Sequence, residues 1–177
     1  MKREKLAELI DSWENLTFLV REIGSDSQLF SVLMEIVLYD SRQKSWRAAY
    51  LADKINDDFP RLILPYIEKI IQQLGEEKNT SKKRHFLKLL SMNEIPGVYY
   101  VFLVDYCLNV MSSAKEPPAV RVHAMQVLFN ISEKEPDLKP ELLSVIGREM
   151  EYHATPGILS RGTKLVKKLQ KQVQQKF

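Results

Sequence analysis

The sequence predicts an all-α fold of stacked helix pairs, an α-solenoid, and three observations carry that expectation. The run Pro118-Ala-Val-Arg-Val-His-Ala-Met-Gln-Val-Leu-Phe-Asn-Ile-Ser-Glu-Lys-Glu-Pro136-Asp-Leu-Lys-Pro-Glu-Leu-Leu spells one helix with an apolar stripe, a corner ended by Pro136 and a second apolar helix. Related runs lie from Trp46 to Leu64 around Pro60 and, less regularly, from Lys83 to Leu103 around Pro96. These corner prolines are 36 and 40 residues apart, the scale at which a helix pair that cannot cover its own apolar face stacks on the next pair.

The elements follow in order. From Lys2 to Ile23, apolar residues recur with helical period at Leu6, Leu9, Ile10, Trp13, Leu16, Leu19, Val20 and Ile23. Ser12 is a candidate cap that would divide this segment in two. Gly24 reads as a stop and Ser25 or Asp26 as a new N-cap. Leu29 to Tyr39 is dense enough in apolar residues for a helix buried on more than one side. The next helix runs from about Gln43 to Asp58, and Pro60 suits the first turn of the one after it, where its missing N–H costs nothing. Pro65 either kinks that helix or marks its true start. A helix from about Ser81 to Met92 precedes the corner Ile95-Pro96-Gly97, and Val98 to Met111, apolar on nearly all sides, reads as a fully covered helix. Ser112 to Pro118 is a loop. Helices from Pro118 to about Ser132, from Pro136 to about Met150 and from Pro156 to the lysine-rich end complete the chain.

Aligning Pro60 with Pro136 sets Ala48 against Ala124, Leu51 against Val127, Ile55 against Ile131 and Leu62 against Leu138. Small residues on the first helix of a pair admit its partner closely, and large aliphatics fill the seam. With these residues quoted, the chain resembles the HEAT-repeat (armadillo-like) family. Pro118-Ala-Val-Arg-Val-His-Ala-Met-Gln-Val-Leu looks like the family's proline, valine-arginine and alanine-leucine stripe. Pro60-Arg-Leu-Ile-Leu-Pro-Tyr-Ile and Pro136-Asp-Leu-Lys-Pro-Glu-Leu-Leu look like its proline-led second helix. The match is good over 43–75 and 117–152 and weaker over 80–112, where Lys83-Arg-His replaces valine-arginine. The resemblance implies one domain over 1–177, a right-handed α-α superhelix of about four helix pairs (1–40, 43–75, 80–112 and 117–152) with a capping helix over 156–176. It also implies a scaffold or peptide-binding role on a concave face built from the second helices. A DNA-binding role is implied by the subset related to DNA alkylation repair glycosylases, which use basic residues of that face.

Composition sets the outer limits. A chain of 177 residues with 45% hydrophobic and 28% charged residues suits a soluble globular protein. A single cysteine, Cys107, cannot form an internal disulfide and sits in an apolar run, where a small buried hydrophobe is the simpler reading than a nucleophile. No apolar run approaches the roughly 20 residues that span a bilayer, and the N-terminus lacks the apolar core of a signal peptide. A cytoplasmic protein without a membrane anchor is the expectation. His85, His123 and His153 share no metal-ligand spacing, so neither a metal nor another cofactor is expected. Gly-rich phosphate loops and the Gly-x-Ser-x-Gly elbow are both absent from the sequence, and no enzyme is expected.

Two sets of residues rise above this background. Trp46, Arg47 and Tyr50 occupy one turn and are either a peptide-binding hot spot or part of the core. The other set is basic. Six basic residues and no acidic one follow Glu151, leaving residues 1–151 with a net charge of −3 against +3 for the whole chain. Arg161, Lys164, Lys168 and Lys171 share a helix face, and Lys78, Lys82, Lys83, Arg84 and Lys88 cluster at a repeat corner. They are either phosphate ligands for nucleic acid or a solvated cap. The favoured reading is a non-catalytic scaffold or adaptor holding a protein or peptide; the alternative is a nucleic-acid-binding module. The seam assignment makes its own prediction. Ala48→Phe or Ala124→Phe overpacks the helix pair by about 1–3 kcal/mol or more, and a thermal melt with unchanged midpoint would remove the assignment.

Overall fold

The computed structural model describes residues 2–174, and among these every regular element is helical. Lys176 and the last residues of the expected capping helix lie outside the described range. The chain divides into two compact units, Met1–Ile95 and Pro96–Phe177.

The first unit holds α1 (Arg3–Ser12), α2 (Leu16–Gly24), α3 (Ser27–Tyr39), α4 (Trp46–Asp58), α5 (Ile67–Leu74) and α6 (Thr80–Met92). α4 is its hub, packing on α1, α2, α3 and α6. It can be surrounded because Ala48, Ala49 and Ala52, all fully buried, let neighbours approach its backbone. Asp26 caps α3, its carboxylate accepting from the Gln28 and Leu29 N–H groups at 2.8 and 3.0 Å. Asn79 caps α6 in the same way through Ser81 and Lys82.

The predicted break at Ser12 falls one residue later and has a different cause. The Ser12 hydroxyl donates back to the Leu9 carbonyl, and the chain turns because Trp13 and Asn15 take left-handed backbone angles, φ 59° and 52°. Asn tolerates that region, whereas for a bulky tryptophan it is an outlier. Gly24 ends α2 as expected, although its φ is not positive. It is glycine because a Cβ there would stand 2.5 Å from two ring carbons of Phe59.

The second unit holds α7 (Tyr100–Ser112), α8 (Pro118–Lys134), α9 (Lys139–Tyr152) and α10 (Pro156–Gln174). Its hub is α8, which packs on α7, α9 and α10. The repeat alignment holds at the level of individual hydrogen bonds. At one corner the Phe59 N–H donates to the Ile55 carbonyl at 2.7 Å and the Leu62 N–H to the Phe59 carbonyl at 3.1 Å. At the other, Glu135 donates to Ile131 at 2.8 Å and Leu138 to Glu135 at 3.1 Å. Phe59 and Glu135 have similar backbone angles, φ −130° and −118° with ψ 58° and 77°. Each proline then opens a single 3₁₀ turn, Pro60–Leu62 or Pro136–Leu138. Pro65 sits in a second such turn, Leu64–Tyr66, before α5 begins at Ile67, so it marks a start and not a kink. Ala48 and Ala124, Leu51 and Val127, and Ile55 and Ile131 are all buried.

One helix departs from expectation. α7 is not covered all round: it buries Leu103, Cys107, Val110 and Met111, while Val101 and, in the turn before it, Val98 are about four-fifths exposed. An apolar sequence does not by itself reveal how many sides of a helix find a partner. The close contact in the first unit yields a prediction. Gly24→Ala forces the Phe59 ring out of its place between α2 and α4, costs about 1–3 kcal/mol despite alanine's better helix propensity, and lowers the melting temperature in a thermal scan.

Candidate functional site

In the first unit the sequence-predicted residues Trp46, Arg47 and Tyr50, from the start of α4, converge with one residue the prediction left out. Trp13, read as part of a core stripe, is turned by its left-handed backbone onto this cluster. Its ring lies 5.3 Å from Trp46 and 5.2 Å from Tyr50, tilted by 57° and 56°. The Arg47 guanidinium stands over both indoles, 5.0 Å from the Trp13 and 5.9 Å from the Trp46 ring centroid, within the range of cation–π attraction. It also donates to the Asp11 carbonyl at 2.6 Å. Trp13, Trp46, Arg47 and Tyr50 are all half-buried, neither core nor free surface. Only the positive φ of Trp13 distinguishes it, and a periodic apolar stripe gives no sign of that.

Beside this cluster lies a buried polar chain that joins α4 to α6. Asp53, 2% exposed, accepts from His85 Nδ1 at 3.1 Å and pairs with Lys88 Nζ at 2.7 Å. The far side of the imidazole, Nε2, meets Arg84 Nη2 at 3.3 Å. A guanidinium can only donate, so Nε2 accepts and the Nδ1 proton faces Asp53. The Tyr50 ring lies edge-on to the same imidazole at 5.7 Å. Burial alone would raise the Asp53 carboxyl, but hydrogen bonds from His85 and Lys88 and the Lys88 charge outweigh it and hold the group below the usual carboxylate range. Asp40, at the end of α3, is held low by the same balance, with Arg42 as the partner.

The basic corner set separates. Lys82 is corrected: it is not a surface cation. It is 3% exposed, pairs with Glu77 at 3.0 Å and donates to the Asp40 carbonyl at 3.2 Å. Its side chain borders a cleft of about 440 Å³ with Ser45, Glu76 and Glu77, but the ammonium is engaged where a charged group inside protein must be. Lys83 and Arg84 are half-buried on α6, and Arg84 is turned to His85.

In the second unit, Arg121 of the valine-arginine element is buried. It donates to the Met111 carbonyl at 2.7 Å and to Glu149 at 2.5 Å, and Glu149 also meets His153 at 2.9 Å. Arg161, Lys164, Lys168 and Lys171 do share one face of α10, and with Lys167, Leu165 and Gln126 they line a groove of about 400 Å³. Cys107 is fully buried, and burial pushes its thiol far above the ordinary thiol range. Among the described residues, no group of three or more His, Cys, Asp or Glu side chains is placed to hold a metal ion. No helix there is long and apolar enough to cross a membrane.

The depressed Asp53 carboxyl sets a pH signature. A carboxyl whose folded value lies below the unfolded 3.8 contributes stability above that value and loses it as pH falls through the folded value. Asp53→Asn is expected to cost about 2 kcal/mol at neutral pH. Its deficit against the parent protein should shrink as urea melts are repeated at pH values falling below 3.8.

Comparison with curated proteins gave no match, and comparison with solved structures gave none. The comparison with family models did give one: the HEAT repeat domain matches residues 2–169. It reaches across both compact units, both proline-led corners and most of α10, and the chain belongs to the HEAT-repeat family.

Proposed function

We propose that this protein is a non-catalytic scaffold that holds a protein or peptide, and that the Trp13–Trp46–Arg47–Tyr50 cluster is one of its contact points. The observation that carries this reading is the left-handed backbone of Trp13. A strained residue of this size persists only where its surroundings fix it, and such strain collects at binding sites. Here it brings three aromatic rings together, two of them beneath a guanidinium, the residue types that dominate binding energy at protein interfaces. The half-burial of all four residues leaves part of each side chain accessible to a partner.

The neighbouring polar chain supports a non-catalytic role. His85 has one ring nitrogen on Asp53 and the other on Arg84, so neither is free to act as a general base, and the pair is buried. The solvent-exposed Val98 and Val101, next to half-exposed Phe102, add apolar surface of the kind that protein partners cover. The nucleic-acid alternative draws on fewer residues than the sequence offered it, because Lys82 is bound to Glu77.

Selection of a displayed peptide library on the whole chain, followed by fluorescence anisotropy of the selected sequences, tests this reading. Trp46→Ala is expected to weaken a selected peptide by about 2 kcal/mol, a loss of more than tenfold, with the helical circular dichroism unchanged. Selected peptides that bind the Trp46→Ala and Tyr50→Ala proteins as well as the parent would remove the cluster from the interface.

A further inference from the structure

The groove between α8 and α10 has a chemistry of its own. Its walls carry Arg161, Lys164, Lys168 and Lys171, its lining includes Leu165 and Gln126, and no acidic residue borders it. Two of the cations are pre-positioned: Arg161 donates to Gln126 Oε1 at 2.5 Å, and the Lys168 ammonium stands 5.5 Å from the Phe129 ring centroid. Lys164, Lys167 and Lys171 have no ion-pair partner among the described residues. The acid that α8 offers further along, Glu133, is taken by Lys139 at 2.8 Å and by the Gln172 amide at 3.1 Å. The groove therefore concentrates positive charge that no acidic side chain among the described residues neutralises.

The arrangement narrows what would occupy it. The four cations are spaced three, four and three residues apart and cover about 15 Å of helix axis. Carboxylates at the same spacing on a second helix laid alongside would meet them in register. Leu165 at the floor is itself 2% exposed, so the apolar lining between the charges comes from the stems of the exposed lysines, which suit an aliphatic side chain more than a sugar or a phosphate. Phe129, the aromatic ring beside the groove, is 6% exposed and covered by Lys168, so no ring is presented for a base to stack on.

We infer that the α8–α10 groove docks an acidic amphipathic helix of a protein partner, with carboxylates every three to four residues and an aliphatic side chain between the lysine stems. This surface goes beyond the aromatic cluster of the first unit. It shares with that proposal only the premise that the occupant is protein, and different variants test the two.

The probe is a labelled peptide of about four helical turns, with glutamates in the three-four-three spacing around one leucine, titrated with the whole chain by fluorescence anisotropy. Controls are the same composition scrambled, the glutamine-for-glutamate version, and single-stranded and duplex oligonucleotides of equal charge. The expected result is saturable binding of the spaced peptide, at least tenfold tighter than either peptide control and weakened by salt as exposed charge pairs are. The Lys164→Glu/Lys168→Glu protein should lose at least tenfold and Trp46→Ala should lose nothing. Because Lys168 covers Phe129, the pair Lys164→Gln/Lys171→Gln, both exposed, repeats the test without touching that contact. A scrambled peptide that binds equally well, a spaced peptide indifferent to these lysines, or an oligonucleotide that binds as tightly through them would overturn the proposal. The last result would make the groove a phosphate-binding surface. Loss of peptide binding in Trp46→Ala with the lysine variants unaffected would likewise overturn it, while leaving the aromatic cluster as the site.

Discussion

The two hub helices are the constraint from which the rest follows. α4 and α8 are each packed on three or more neighbours, and a helix in that position has little face left for solvent. Its side chains must be small where a neighbour crosses and aliphatic where two neighbours meet. Ala48, Leu51 and Ile55 in one hub and Ala124, Val127 and Ile131 in the other meet that demand at equivalent positions. The chain must then leave the hub and turn back within a few residues. A proline-led 3₁₀ turn does so, since the proline needs no hydrogen-bond acceptor at a point where the helix has ended.

A hub enclosed in this way must match any charge that faces its neighbours, and each buries one charged side chain. Asp53 of α4 is matched by His85 and Lys88 from α6, and Arg121 of α8 by Glu149 from α9 and a carbonyl at the end of α7. Such pairs add little net stability over an apolar equivalent, but a neighbour that slid by one turn would leave an uncompensated charge inside. They therefore act on the register of packing more than on its strength. In the first unit the Asp53–His85 link also fixes the backdrop of Tyr50, and through it the aromatic cluster.

How far the sequence discloses this molecule depends on whether a feature is periodic. The helices, their corners and the paired seam residues were legible because helical period and proline position are local signals. The shared basic face of α10 was legible for the same reason. Lys82 was not, because nothing in Lys-Lys-Arg separates the lysine that turns inward to Glu77 from the two basic residues that follow it. Trp13 was missed because its spacing fits the α1 stripe, and only the backbone angle takes it off that stripe. α7 was read as covered on every side because composition reports hydrophobicity and not the number of neighbours. Each failure concerns a tertiary choice between alternatives that are locally equivalent.

Cys107 gives the second unit a built-in reporter. Its sulfur is fully enclosed on α7, the helix that packs most extensively on α8. A thiol reagent can reach it only when that packing opens, since both access and thiolate formation require water at the sulfur. The rate of its modification in otherwise native protein would thus time the opening of the second unit alone, with no label introduced, while the first unit, which has no cysteine, stays silent.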